Sequence, residues 1–242
     1  GPAALWTVIG RSGSAPQIVG AKLLWHHDGR VVGTVGGGAI EARVLDACAR
    51  ALRSGRPQRV EHNLVRDLAM CCGGSMEVFV EYLQAPLSIG GCGHVSRAIA
   101  PVAKLAGFRV HVLDDREELL QDEAFAEMQT SAHDVDELDA ALPDLGAEDF
   151  VLIVTRDHDR DERALQHLVR RPHRYVGMIG SRRKVHRVVK RIVAKEEAAG
   201  RGKPDLSRVR APIGLALGGR TPGEIAVSVV AELIAVRHGG GG

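Results

Sequence analysis

The adjacent cysteines Cys71 and Cys72 are the most reactive side chains that this sequence places together, in the stretch AMCCGGSMEV. A disulfide between chain neighbours is strained, and plain core packing would be met by valine or alanine. A thiolate beside the backbone amides of Gly73 and Gly74 has a lowered pKa, which makes it a better nucleophile and metal ligand. The stretch raises three alternatives: these thiols pack, bind a metal or carry sulfur.

Glycine-rich loops recur three times in the first third of the chain, as GRSGSAPQIVGA, GTVGGGAIE and CCGGSME. Such backbone can direct several N–H groups at one oxyanion. In the second loop Gly36, Gly37 and Gly38 lead into a predicted helix, where Glu41 either takes part in chemistry or complements the helix dipole. Three such loops exceed what turns alone need, and we expect them to hold an anion.

The segment IGGCGHVS follows an apolar run and opens a helical one, which places Gly91 and Gly93 on a strand-to-helix turn. Ser96 stands where a third glycine is usual and is still small. This turn lets backbone amides and the helix N-terminus approach a phosphate. Asp114 and Asp115 end the next predicted strand, where an acid can hold a ribose hydroxyl. The pattern predicts a nucleotide site; the alternative is a Rossmann-type domain with an empty or repurposed crevice.

The segment TRDHDRD comes at the carboxyl end of another predicted strand, the edge where ligands of open α/β sheets gather. Arg156, His158 and Asp161 could hold a phosphate, move protons or bind a metal. An equally good interpretation is a polar helix start, in which Asp159 or Asp161 complements the helix dipole.

The segment MIGSRRK is a third strand-to-helix junction, with Ser181 as a candidate N-cap. Arg182, Arg183 and Lys184 then crowd the first helical turn, where cations are unfavourable. An anion bound there would offset this cost, so the pattern favours a phosphate contact over a merely exposed basic face.

The remaining cysteines are expected to be structural. Cys48 lies in an apolar helical stretch and is predicted to be core, and Cys92 lies inside the glycine turn as steric filling. Four cysteines in 242 residues form neither a disulfide framework nor the paired CxxC spacing of a zinc site.

Around these segments the second half alternates strands and helices, which predicts a parallel sheet covered on both faces. Its predicted strands are LSIGG, FRVHVLDD, DFVLIVT and RYVGMIG. Pro101 should bend or shorten the first helix. The last helix begins TPGE, where Thr221 and Glu224 match a capping box.

The first half reads as strand, hairpin, helix and strand, with the helix predicted at 39–53 and Asp28-Gly29 as the hairpin turn. The fold class is therefore α/β: a smaller N-terminal mixed α/β domain at 1–85 and a C-terminal Rossmann-like domain at 86–242.

Charge is unevenly distributed although the net charge is only +2. Residues 114–162 carry 18 acids against 3 bases, and residues 181–210 carry 11 bases against 3 acids. The basic part suits an anion site or a solvated helix face, and it lacks a recognisable nucleic-acid-reading motif. No signal peptide or apolar run near 20 residues is present, so we expect a cytoplasmic protein without membrane or nucleic-acid partners.

The motifs occur in an order that resembles the XdhC/CoxI family over nearly the whole chain. The segments that carry the resemblance are RSGSAPQIVGAKLL, GTVGGGAIE, CCGGSMEVFVE, GGCGHVSRAIA, VLDDR, TRDHDRD, YVGMIGSRRK, APIGL and RTPGEIAVSVVAEL. The family consists of accessory proteins for molybdenum hydroxylases such as xanthine dehydrogenase and carbon monoxide dehydrogenase. Its pattern stresses the cysteine directly before the glycines, here Cys72, whereas this chain doubles it.

The resemblance favours a cofactor chaperone over a catalyst: a protein that binds molybdopterin, keeps it sulfurated and hands it to an apo-hydroxylase. It also implies a cysteine desulfurase as sulfur source and a homodimer. Cys72, and with it Cys71, would be the molybdenum ligand or persulfide carrier, and Glu41 and His158 are further candidates for chemistry. The candidate cofactor-binding residues are Gly36, Gly37, Gly38, Gly73, Gly74, Gly91, Gly93, His94, Asp114, Asp115, Arg156, Ser181, Arg182, Arg183 and Lys184.

Two rival functions remain open from the sequence. The IGGCGHVS turn with Asp114 also suits an enzyme that uses NAD(P) or another nucleotide, although the first domain offers no convincing hydride-transfer constellation. The basic helix at 181–195 also suits a docking protein that meets an acidic client surface.

Overall fold

The computed structural model describes residues 3–26, 29–34, 39–54, 57–63 and 74–239. The chain divides into two compact units, Gly1–Gln84 and Ala85–Gly242. Among the described residues, no helix has the length and apolarity that crossing a bilayer requires.

The first unit is an antiparallel sheet with one described helix, α1. Its strands lie in the order β3-β2-β1-β5-β4. The elements are β1 (Ala3–Ser12), β2 (Lys22–His26), β3 (Val31–Gly33), α1 (Ala39–Ser54), β4 (Gln58–Asn63) and β5 (Ser75–Leu83).

Alternating apolar residues build the core of this unit. Trp6 and Val8 of β1 pair with Val80 and Val78 of β5, and all four are buried on one sheet face. Because side chains alternate across a strand, this register puts every second residue against α1. Cys48 of α1 is fully buried in the same cluster, which confirms its predicted place in the core.

Strand β4 was not anticipated from the sequence. Its six residues, QRVEHN, contain one apolar side chain, so they show no alternation that would indicate a strand. It forms at the edge of the sheet by pairing with β5, from Gln58 opposite Val80 to Asn63 opposite Ser75. The hydrogen-bonding edge of β5 therefore decides this element.

The second unit is a six-stranded parallel sheet in the order β11-β10-β9-β6-β7-β8. Its strands are β6 (Ala85–Gly90), β7 (Phe108–Asp114), β8 (Gln129–Ala132), β9 (Phe150–Ile153), β10 (Tyr175–Met178) and β11 (Val209–Arg210). Its helices are α2 (His94–Leu105), α3 (Glu117–Leu120), α4 (Leu138–Ala141), α5 (His158–Leu168), α6 (Arg182–Ala198) and α7 (Pro222–Arg237), with short 3-10 turns at Glu123–Phe125 and Val135–Glu137.

Numbered within this unit, the strand order is 3-2-1-4-5-6, the order of a dinucleotide-binding Rossmann domain. The predicted fold class is thereby confirmed. Apolar clusters lie on both faces, one with Ile99 and Leu233 of α2 and α7, the other with Leu165 and Ile192 of α5 and α6. The strands β8 and β11 and the short helices lie in stretches that the sequence left unresolved.

Helix boundaries follow the predicted caps. Thr221 and Glu224 form the capping box of α7, and Ser181 Oγ accepts a hydrogen bond from the Lys184 amide to cap α6. Helix α2 continues past Pro101 to Leu105, so this proline does not end it.

Between β6 and β9 the direction of chain progression across the sheet reverses. At such a switch point the loops leaving the two strands diverge to opposite faces and open a crevice at the carboxyl edge. The residues of this edge form the first part of the candidate site.

Candidate functional site

The turn between β6 and α2 is built for close backbone approach. Gly91 has φ +118°, and a Cβ there would lie 2.2 Å from the Val154 carbonyl oxygen, so only glycine fits. Gly93 faces open space and is the N-cap of α2, with no side chain capping the first turn. Exposed His94 begins the helix. The amides of this turn are therefore accessible to an anion.

Ser96 occupies the position of the third glycine in this turn. Its side chain is fully buried, and its hydroxyl has no hydrogen-bond partner among the described residues. A buried hydroxyl left unpaired is costly. Ser96 lies in the packed interior and is not among the residues that line the crevice.

Asp114 is saturated by donors from its own chain. Its Oδ2 accepts from the Cys92 amide at 2.8 Å and from Arg116 Nη2 at 2.9 Å. Its Oδ1 accepts from the Arg116 amide at 3.0 Å and from Arg116 Nε at 2.8 Å. The sequence suggested this acid as a ribose acceptor; in the structure it is buried and ties the glycine turn to the end of β7.

Asp115 is the exposed acid of the pair and belongs to an ion network at the crevice. Arg156 contacts it with two nitrogens, at 2.5 Å and 2.9 Å. Arg160 approaches it at 3.1 Å and also contacts Asp134 at 2.5 Å. The hydrogen bond from Arg156 holds the pKa of Asp115 far below its usual range, so this carboxylate is ionised near neutral pH.

These groups line a single concave pocket at the carboxyl edge of β6, β7, β8 and β9. It is bounded by Gly90, Gly91, Leu113, Asp114, Asp115, His133, Asp134, Val135, Leu138, Thr155, Arg156 and Arg160. The structure thus brings the predicted Gly91, Asp114, Asp115 and Arg156 together.

Lys184 does not face this pocket. Its ammonium group is buried, pairs with Asp161 and donates to the Ile179 carbonyl oxygen at 3.1 Å. The other Asp161 oxygen accepts from Thr155 Oγ1 at 2.6 Å. Lys184 therefore joins the start of α6 to α5 and to the residue after β10, which gives this predicted phosphate ligand an internal partner. Asp161 takes part in the same link, and the side-chain cap of α5 is Asp157.

Exposed cations lie on both sides of Lys184 along α6. Arg182 and Arg183 lie at its first two positions and are exposed. His158, also exposed, lines a separate groove between α5 and α6 with Arg187 and Arg191. The structure therefore places His158 and Arg182 apart from the crevice lined by Asp114 and Arg156.

In the first unit, the described parts of the three glycine-rich loops meet. A Cβ on Gly74 would lie 2.5 Å from the Ser12 carbonyl oxygen and 2.4 Å from that of Ser14, so the end of the third loop packs on the first. The first loop also reaches the second, because Gln17 Nε2 donates to the Thr34 carbonyl oxygen at 3.4 Å. The sequence could not indicate this convergence, which depends on the pairing of β1 with β5.

The central candidates of this unit lie outside the described residues. These are Gly36, Gly37, Gly38, Cys71, Cys72 and Gly73. Glu41 belongs to the first turn of α1, but its side chain is outside the description. Within the described residues, no group of three or more His, Cys, Asp and Glu side chains could hold a metal ion.

The two described cysteines are not reactive groups. Burial raises the pKa of Cys48 to about 11, and burial together with the nearby Asp114 carboxylate raises the pKa of Cys92 to about 12. Both thiols are therefore protonated at neutral pH. This agrees with the structural roles expected from the sequence, in which Cys48 is a core residue and Cys92 fills space inside the glycine turn.

Two residues of the crevice were missed from the sequence. Arg116 directly follows the two aspartates, and Arg160 lies within the quoted TRDHDRD segment, so a search for paired charges could have found both. Arg116 pairs with Asp114, which is 2 residues away in the chain. Arg160 pairs with Asp134, which is 26 residues away and is brought close only by folding.

The described groups around the Gly91 turn suit the phosphate part of a nucleotide. The open Gly93 and the uncapped start of α2 provide backbone donors, and Arg156 provides a cation. For molybdopterin, the loops converge around Gly74, and the candidate thiol ligands Cys71 and Cys72 lie outside the described residues.

Comparison with known families gives matches in both units. A family model described as the XdhC Rossmann domain matches residues 87–233. A second, described as the XdhC and CoxI family, matches residues 1–63.

Two curated relatives and one solved structure are similar to the chain. YqeB of Escherichia coli K12 is 35% identical over 245 residues, covering 98% of this chain and 44% of YqeB. A protein of Bacillus subtilis 168, named as a probable xanthine dehydrogenase component, is 28% identical over 158 residues, covering 62% of this chain and 42% of that protein. The chain thus spans less than half the length of both relatives.

The solved structure is that of a xanthine dehydrogenase from Bacillus halodurans. It superposes with a TM-score of 0.53 at 20% identity, covering 97% of this chain and 91% of that chain. At this identity the match supports the fold alone.

Proposed function

The chain belongs to the XdhC and CoxI family, and from this membership we propose that it assists the maturation of a molybdenum hydroxylase. It binds molybdopterin, retains it in the sulfurated state and delivers it to the apo-enzyme. The observation that carries this proposal is the match of two models of one family to the two units. A relative named as a probable component of xanthine dehydrogenase supports a client of that type.

The proposed cofactor site is the cluster of glycine-rich loops in the first unit. Gly36, Gly37, Gly38, Gly73 and Gly74 present backbone amides to the pterin phosphate. Cys72, with Cys71 beside it, serves as thiolate ligand to molybdenum or as carrier of persulfide sulfur. The cofactor supplies redox-active molybdenum to the client, and the residues of this chain hold and shield it.

The surroundings of this function are part of the same proposal. A cysteine desulfurase supplies the sulfur, the protein acts in the cytoplasm, and two copies form a homodimer. Light scattering of the purified protein checks the last point, because a dimer has twice the 25.9 kDa mass of the chain.

A retention experiment tests the cofactor role. The protein is loaded with molybdenum cofactor, passed through gel filtration and assayed for molybdenum and for pterin fluorescence after oxidation. We expect the wild type to retain both and Cys72→Ala to lose most of both. Cys48→Ala is the matched control, because that thiol is buried in the core and its loss leaves the loops intact.

Transfer is measured by adding the loaded protein to apo-hydroxylase and following hydroxylase activity. Activation by the wild type that fails with Cys72→Ala supports delivery through this cysteine. Equal retention and activation by Cys72→Ala and Cys48→Ala would remove Cys72 from the function. A wild type that neither retains cofactor nor activates the client would contradict the maturation role itself.

The exposed face of α6 is the proposed contact with the client. Five basic residues on this face have no ion-pair partner among the described residues: Arg182, Arg183, His186, Arg187 and Lys190. Further along the same helix, Arg191 and Lys195 are paired with Glu162. A partner with an acidic surface would neutralise the unpaired cations, including those at the unfavourable helix start.

Charge reversal tests this contact. Arg183→Glu should weaken hydroxylase pull-down, while the helix dipole stabilises the new carboxylate, so that unfolding cannot explain the loss. Lys203→Glu is the control, an equal charge change at another exposed cation. Equal pull-down by both variants, or binding that does not weaken as salt rises, would exclude this face.

A nucleotide-dependent enzyme is the second candidate, favoured by the 3-2-1-4-5-6 strand order and the Gly91 turn. It predicts binding of NAD, NADP or a nucleoside triphosphate in the second unit, followed by turnover. A calorimetric titration without heat for any of these ligands would count against it.

A further inference from the structure

The ion pair between Arg156 and Asp115 lies across the crevice of the second unit. Arg156 follows β9 and Asp115 follows β7, and β6 lies between these two strands in the sheet. The two guanidinium–carboxylate contacts, at 2.5 Å and 2.9 Å, therefore span the end of β6, where the Gly91 turn begins. Both residues line the same pocket as Gly91.

Both partners have other charged neighbours. Asp115 lies 3.1 Å from Arg160 Nη2, which would continue to neutralise it if Arg156 moved away. Among the described residues, the other carboxylates near Arg156 are those of Asp114 and Asp157, each at 4.0 Å. If the pair separated, Asp115 would therefore keep Arg160 as its partner, whereas the Arg156 guanidinium would need another anion.

Exposure makes Arg156 the exchangeable member of the network. Its side chain is 36% exposed, whereas that of Arg160 is 16% exposed and engages Asp115, Asp134 and Asp157. A guanidinium fork binds a phosphate as well as a carboxylate, in the same two-pronged geometry. The nearby open amides of the α2 start would add further donors to the same phosphate.

We propose that Asp115 is an internal competitor for nucleotide phosphate: a phosphate-bearing nucleotide enters the crevice by taking Arg156 from Asp115. This inference rests on the nucleotide site proposed above for the Rossmann crevice. The ligand class is a nucleoside di- or polyphosphate, or a dinucleotide with a pyrophosphate bridge. Asp115 lowers affinity by occupying the guanidinium that the phosphate needs.

A different role for Asp115 makes the opposite prediction. If Asp115 held a ribose hydroxyl directly, as an acid at the end of the second strand does in many dinucleotide sites, its removal would weaken binding. If it competes, its removal strengthens binding. The sign of one substitution therefore separates the two roles.

The experiment is a calorimetric titration of the full chain with ADP, and with adenosine as the phosphate-free ligand. The variants are Asp115→Asn, Arg156→Gln and the double variant. Asp144→Asn is the control, because it removes the same charge from an exposed acid that does not line the pocket. We expect Asp115→Asn to tighten ADP binding by roughly twofold to fivefold, the range of a partly exposed ion pair. The double variant should lose this gain, and adenosine affinity should not change.

The proposal is overturned if Asp115→Asn binds ADP more weakly than the wild type, or if no variant binds ADP. It is also overturned if the gain in ADP affinity persists in the double variant, or if Asp144→Asn gains as much ADP affinity. An equal gain in adenosine affinity by Asp115→Asn would overturn it too. Circular dichroism on every variant confirms folding. Molybdenum retention and client activation are measured separately, so failure of the maturation role and failure of this competition are distinguishable.

Discussion

The Asp114 carboxylate and the Cys92 backbone amide are joined by a buried hydrogen bond of 2.8 Å. It links the end of β7 to the glycine turn after β6, across 22 residues of chain. The same carboxylate receives the side-chain fork of Arg116. One acid thereby fixes the loop that would face a nucleotide, while its neighbour Asp115 remains on the surface.

Replacement of Asp114 should therefore cost stability. In Asp114→Asn one acceptor becomes a donor facing the Cys92 amide or Arg116, and we expect the free energy of unfolding to fall by about 1–3 kcal/mol. Urea denaturation followed by circular dichroism measures the change. Asp115→Asn serves as comparison, since its more exposed ion pair is worth at most about 1 kcal/mol. A larger loss for Asp115→Asn would contradict the assignment of roles.

Gly91 and Gly93 should respond differently to the same added methyl group. Gly91→Ala forces a positive φ and a clash with the Val154 carbonyl oxygen, and we expect a loss of about 2 kcal/mol or more. Gly93→Ala meets nothing within 4 Å and keeps φ at −73°, so its stability should change by less than about 1 kcal/mol. Both are measured by denaturation. Similar losses in the two variants would argue against the described turn.

Thiol labelling should separate the structural cysteines from the candidate site. Because Cys48 and Cys92 are buried with raised pKa values, we expect neither to react with an aromatic disulfide reagent at pH 8 in the folded protein. Rapid labelling should come from Cys71 and Cys72 and should disappear in a variant with serine at both positions. All four cysteines should react in urea. Fast labelling of the folded double variant would show that the core thiols are accessible.

Glu196 should give stability a dependence on pH. Hydrogen bonds from Arg201 and Arg170 lower its pKa to about 2, against about 4.3 in an unfolded chain. A carboxylate whose pKa is lowered by folding stabilises the fold above its unfolded pKa and loses that contribution as pH falls. Glu196→Gln should cost about 1–2 kcal/mol at pH 7, because its arginine partners are partly exposed.

The difference between wild type and Glu196→Gln should shrink as pH falls from about 5 towards 2. Urea denaturation at a series of pH values measures it. Exposed Glu197→Gln is the control and should show a small difference that does not follow this window. A difference for Glu196→Gln that stays constant down to pH 2 would refute the lowered pKa.

Local patterns were enough for the regular elements and their caps. Alternation along β5 and the Thr221–Glu224 capping box depend on neighbours within a few residues, and both are present as predicted. Strand β4 lacked such a pattern, since its place depends on the edge of β5. Lys184 shows the same limit in the site. Neighbouring residues are enough to predict that it lies at a helix start, but its partner Asp161 is 23 residues away in the chain.

The sequence by itself determined the family, the α/β class, the Gly91 turn and the separation of acidic and basic stretches. These follow from residue type, spacing and motif order, which the chain carries without folding. Only the tertiary structure decided which acid is buried and which is exposed at the crevice, because Asp114 and Asp115 are chemically identical neighbours. Their roles differ because Asp114 is the last residue of β7 and its buried carboxylate meets the Cys92 amide, whereas Asp115 lies in the bend after the strand, where its exposed carboxylate meets Arg156.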